Sequence, residues 1–80
     1  MNLEILTPDK KVFEGEVNSV TVPGVQGAFQ ILRDHAPIIS TLENGAVIIR
    51  GAEGENIFQI RGGVVEVLKN KIIVLTEGVA

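Results

Sequence analysis

Eighty residues with a formal net charge of −3, from 10 acidic and 7 basic side chains, describe one small and mildly acidic domain. The absence of cysteine excludes disulfides and thiolate metal sites, and without Trp, Tyr or a clustered basic face there is nothing to grip or stack on nucleic acid. No apolar run approaches the roughly 20 residues of a membrane helix, and the N-terminus MNLEIL has neither the basic region nor the cleavage pattern of a secretory signal, so a cytoplasmic-side protein is expected.

Val and Ile make up roughly a quarter of the residues, a bias toward strands, and no window sustains apolar residues at helical spacing. Leu3 and Ile5 alternate with polar neighbours and predict a first strand. Thr7-Pro8-Asp9-Lys10 is a turn, with proline presetting the backbone and Asp9 able to close it. In VFEGEVNSVTV the apolar residues Phe13 and Val17 occupy odd positions, opposite Glu14 and Glu16, whereas Val20 and Val22 occupy even ones. The inward face therefore changes parity near Asn18-Ser19, as it must when one strand bends to serve two packed sheets.

Pro23 to Pro37, PGVQGAFQILRDHAP, separates two predicted strands and holds the only histidine and one of 3 phenylalanines. Such a connection on a rigid scaffold is where a binding site is expected, or else a plug for the end of a β-core. IISTL follows as a strand. Glu43-Asn44-Gly45 then predicts a hairpin of type I′ leading into AVIIR. Gly51 to Gly54 is the next turn, before NIFQIR with Phe58 and Ile60 inward. Gly62-Gly63 predicts a sharp bend or a close approach of another segment, and VVEVL and IIVLT close the core around a turn at Lys69-Asn70.

The chemical inventory is thin. His35 is the only imidazole, Ser19 and Ser40 are the only serines, and neither serine lies in a nucleophile-elbow pattern. No catalytic residue, metal site or cofactor is expected. The glycines of PGVQGAF precede no predicted helix, so a phosphate cradle is unsupported. Lys69 and Lys71 at a hairpin tip allow one other reading, a lipoyl- or biotinyl-like carrier domain, and an unassigned β-sandwich binding module is the third.

Three ordered blocks, TPD…VFEGEV, the PG…G…IL…HAP loop and GG…EV…N…VL, resemble the β-domain of the epsilon subunit of bacterial F-type ATP synthases nearly end to end. The resemblance implies a flattened ten-stranded sandwich or barrel of two five-stranded antiparallel sheets, a single domain over residues 1–80. It implies a non-catalytic rotor part that docks on the gamma subunit and on the ring of c subunits, at the cytoplasmic face of the bacterial plasma membrane, and couples proton-driven rotation to ATP synthesis. The ring contact it implies comprises Gln26, Gly27, Ala28 and Phe29. Around these, Phe29 and Ile31 would act as an apolar anchor, with Arg33 and Asp34 as a polar rim. Thr7, His35 and Ser40 are implied on the gamma side. Two departures stand out: Ala28 occupies a position that is acidic in many members, and the sequence stops at Ala80, where most members continue into a helical hairpin. Whether truncated or naturally short, such a chain is expected to show neither self-inhibition nor ATP binding.

Overall fold

The computed structural model describes residues 1–80 as nine strands in two facing sheets. The first sheet has the order β2-β1-β9-β8-β5, from β1 (Asn2–Leu6), β2 (Lys11–Glu16), β5 (Ile38–Leu42), β8 (Gly63–Leu68) and β9 (Lys71–Leu75). The second has the order β4-β3-β6-β7, from β3 (Ser19–Val22), β4 (Phe29–Leu32), β6 (Gly45–Gly51) and β7 (Gly54–Ile60). With extents of 26 × 26 × 18 Å the sandwich is flattened, as expected.

The all-β class holds, but the ten antiparallel strands do not. The fifth place in the second sheet is reduced to a single bridge between Ile60 and Val79. Around it the Arg61 N–H donates to the Gly78 carbonyl at 3.0 Å and the Ala80 N–H to Gln59 at 2.9 Å. One pairing in the first sheet, β1 with β9, is parallel.

Alternation explains the core. Leu3 and Ile5 of β1, Val20 and Val22 of β3, Ile31 of β4, Val47 and Ile49 of β6, Val65 and Val67 of β8, and Ile72 and Val74 of β9 are all buried between the sheets. Phe13 and Phe58 meet edge-on at 5.8 Å where β2 and β7 come together. The parity change read in VFEGEVNSVTV is where the chain leaves the first sheet for the second, between β2 and β3.

Two turns exchange roles relative to expectation. Asn44-Gly45 forms no hairpin, because β5 and β6 lie in different sheets and neither residue has positive φ. Gly45 is needed for space instead: a Cβ there would lie 2.9 Å from the Pro23 Cβ. The left-handed pair that a type I′ turn requires is at Lys69 (φ 50°) and Asn70 (φ 62°), joining β8 to β9. The turn after β1 is closed by Thr7 rather than Asp9, the Thr7 Oγ1 lying 3.2 Å from both the N–H and the carbonyl of Lys10.

Gly62-Gly63 is the close approach expected of it. Gly63 has φ 140°, and a Cβ on it would lie only 2.0 Å from the Leu75 carbonyl oxygen. Gly27 has a similar φ of 124° but nothing within 4 Å. Gly63→Ala should therefore lower unfolding free energy by about 3 kcal/mol or more, and Gly27→Ala by about 1 kcal/mol, since only the former adds overlap to backbone strain. Urea denaturation of the two variants checks this; equal losses would contradict it.

Candidate docking surfaces

The connection from β3 to β4 is a seam between the sheets. Pro23 and Gly24 are buried, and Gly24 bridges to Leu42 at the end of β5. The Val25 N–H donates to the Thr41 carbonyl at 3.1 Å and the Glu43 N–H to that of Pro23 at 2.8 Å, so the loop ties the second sheet to the edge of the first. The Gly27 N–H turns back to the Gly24 carbonyl at 2.9 Å, leaving Val25, Gln26, Gly27 and Ala28 as an exposed tip.

Beyond the tip the chain enters β4. Phe29 is half-buried, with its ring against Gly24, where a Cβ would come within 2.9 Å of it. Ile31 shares that inward face and is 0% exposed. It is core, so it offers no surface to a partner, and the expected Phe29–Ile31 anchor is a core wedge that buttresses the tip from below.

Arg33 and Asp34 are not the rim of Phe29. They form a turn at the far end of β4, roughly 13–17 Å from Phe29 at the rise of an extended strand. The turn is held from a distance. The Asp34 N–H donates to Asn70 Oδ1 at 2.7 Å, and Asn70 Nδ2 donates to Asp34 Oδ1 at 3.0 Å. Asp34 (φ 65°) and Asn70 (φ 62°) are thus two left-handed residues locked together across 36 positions of sequence. Beside them His35 Nδ1 lies 2.7 Å from the Ala36 carbonyl oxygen, which can only accept, so Nδ1 carries the proton.

The expected gamma-side residues are dispersed. Thr7 lies next to Leu6 at one end of the first sheet, His35 at the opposite end, and Ser40 half-buried on β5 beside the Gly24–Phe29 loop. No group of three or more His, Asp or Glu side chains converges. Lys11 on β2 has its pKa raised above 10.5, chiefly by the hydrogen bond from Lys11 to Glu14 and also by the charge of Glu14.

The surface that composition and loop signals missed is the outer face of the first sheet. Strand register aligns Leu6, Leu75, Val64 and Thr41 in one row and Glu4, Ile73, Glu66 and Ile39 in the next. Ile39 is 73% exposed, Leu68 51%, Leu75 50% and Val64 36%. Over β9, β8 and β5 this outward face is apolar apart from Lys71, Glu66 and Thr41, although water favours polar side chains there. In contrast, β2 extends the rows with Lys11 and Glu14 and keeps the far edge charged. The signal was available in VVEVL, whose outward positions Val64 and Leu68 are as apolar as its inward ones.

The chain matches the family described as ATP synthase, Delta/Epsilon chain, beta-sandwich domain, over residues 1–80. It is 48% identical over 79 residues to the ATP synthase epsilon chain of Chlorobaculum tepidum, covering 98% of this chain and 90% of that relative. Against the epsilon chain of Leptospira borgpetersenii the identity is 39% over 77 residues, covering 96% of this chain and 61% of the relative. The fold superposes with a TM-score of 0.89 on a chain of the Euglena gracilis mitochondrial ATP synthase structure, at 20% identity and covering 98% of this chain and 51% of that one. At that identity the likeness is one of fold.

The Asp34–Asn70 lock generates a direct expectation. Asn70→Gly keeps the left-handed turn but removes both side-chain hydrogen bonds, a loss of about 1 kcal/mol for exposed bonds. Hydrogen exchange at the Asp34 amide should accelerate while the β8–β9 ladder stays protected; an unchanged Asp34 amide would contradict the lock.

Proposed function

This chain belongs to the β-sandwich family of ATP synthase delta and epsilon chains, and we propose that it acts in the complex as a central-stalk rotor part without a catalytic site of its own. It docks on the gamma subunit and on the c-ring at the cytoplasmic face of the membrane, so that proton-driven rotation of the ring is passed to the stalk. The observation that carries this reading is the exposed apolar face of the first sheet. Water disfavours such a face, and a macromolecular partner covers it at a gain proportional to the apolar area removed. We assign it to gamma. Thr7 and His35, the positions implied on that side, lie at opposite ends of the same sheet. The residues in between dominate the contact.

The ring contact is the tip Val25–Ala28. Its residues are exposed, and it is fastened at its base to the end of β5, so it transmits force without swinging. Family membership gives no support to a carrier domain at Lys69 or Lys71, and Lys71 lies 3.8 Å from the Glu4 carboxylate. A stiff body with an exposed loop tip, an apolar sheet face and no convergent catalytic groups suits a mechanical coupler, because close-packed sheets resist shear.

Two isoleucines test the assignment, because both are exposed and they lie on opposite outer faces: Ile39 at 73% and Ile57, on β7, at 56%. Ile39→Asp should weaken co-elution with the gamma subunit of the same organism by about 30-fold or more in affinity, the effect of truncating an interface anchor. Ile57→Asp should leave it unchanged, and both variants should keep the circular dichroism of the parent. Equal binding by the two variants would refute the assignment of the face.

A further inference from the structure

The apolar face of the first sheet carries a free carboxylate near its middle. Glu66 points outward from β8, flanked along its strand by Val64 and Leu68 and across the sheet by Ile39 on β5 and Ile73 on β9. The molecule's ion pairs join the N-terminal ammonium to Glu16, Lys11 to Glu14, Arg50 to Glu55 and Lys71 to Glu4. Glu66 is in none of them. The other acids in its row are both paired: Glu4, whose side chain is only 17% exposed, has Lys71 Nζ 3.8 Å away, and Glu14, opposite Glu4 on β2, is bonded by Lys11.

In the free chain water solvates Glu66. A partner that covers the apolar residues around it strips that water, and a carboxylate buried without compensation is strongly unfavourable. Resting on the docking of gamma proposed above, we infer that the covering segment presents a cation, best an arginine, to Glu66, and that this pair sets the register of the complex. Arginine fits because its planar fork meets a carboxylate in two parallel hydrogen bonds and sheds water more readily than lysine. The apolar residues supply attraction without direction; the single charge fixes where the partner strand or helix must sit. On a chain of net charge −3, it also favours a basic segment during approach.

The test uses a substitution whose sign separates the possibilities. Glu66→Val makes the face more apolar on a strand that suits valine, so the domain should fold at least as stably. If only apolar contact matters, this variant binds gamma as tightly as the parent or tighter, which would overturn the inference. With a cation opposite, it leaves that charge buried and unpaired, and affinity should fall by about 30-fold or more. Glu66→Gln should also weaken binding and should flatten its decline between about 0.05 and about 0.5 M salt. A salt dependence identical to the parent's would count against the pair. Ile39→Asp, measured alongside, separates the two levels. If it binds normally, the face is wrong and the inference goes with it; if it fails to bind while Glu66→Val binds well, only the cation is wrong.

Discussion

The apolar layer between the two sheets dictates where the chain has to bend. A single run of strands fills it from both sides, so the chain crosses between sheets before β3, after β4, after β5 and after β7. At each crossing either the inward parity changes, as between Val17 and Val20, or small residues let backbones come close, as at Gly62-Gly63 and at Gly45 beneath Pro23. The crossings are therefore points of contact rather than slack loops. The Pro23–Ala28 connection shows the consequence: two backbone hydrogen bonds fasten it to the end of β5, leaving only its tip free.

That fastening explains how a small domain without disulfides can serve as a mechanical part. The tip is buttressed by Phe29 and Ile31 on the core side, and the far end of β4 is fixed by Asp34 against Asn70. Force applied at the tip passes into both sheets. The outer face of the first sheet, which adjoins the tip at Ile39 and Thr41, is formed by side chains that the core does not need, and so it is available for a partner without loosening the fold. Two surfaces on one stiff body are what a coupling element in a rotary complex requires.

The sequence disclosed the parts of this design that are local. Alternation revealed the strands and the change of face near Asn18, and paired glycines revealed the corner at Gly62-Gly63. Family blocks in order revealed the family. Long-range competition hid the rest. Asn44-Gly45 has the local chemistry of a hairpin, but its flanking strands are claimed by β8 on one side and by β3 and β7 on the other. Arg33 and Asp34 stand close to Phe29 in sequence, yet the intervening strand carries them to the opposite end. Asn70, read as a turn residue, also holds a loop 36 positions away, which no spacing rule could show. Glu66 is a lone polar residue within VVEVL, and only the register gives it Ile39 and Ile73 as neighbours.

Whether gamma covers the outer face of the first sheet is tested most directly by a hydroxyl-radical footprint of the chain alone and with the gamma subunit, read by mass spectrometry at individual side chains. Ile39, Val64, Leu68 and Leu75 should lose reactivity together when gamma is added, while Ile57 on the outer face of the second sheet keeps its own. Protection of Ile57 with continued reactivity at Ile39 and Leu75 would place gamma on the other face and contradict the assignment.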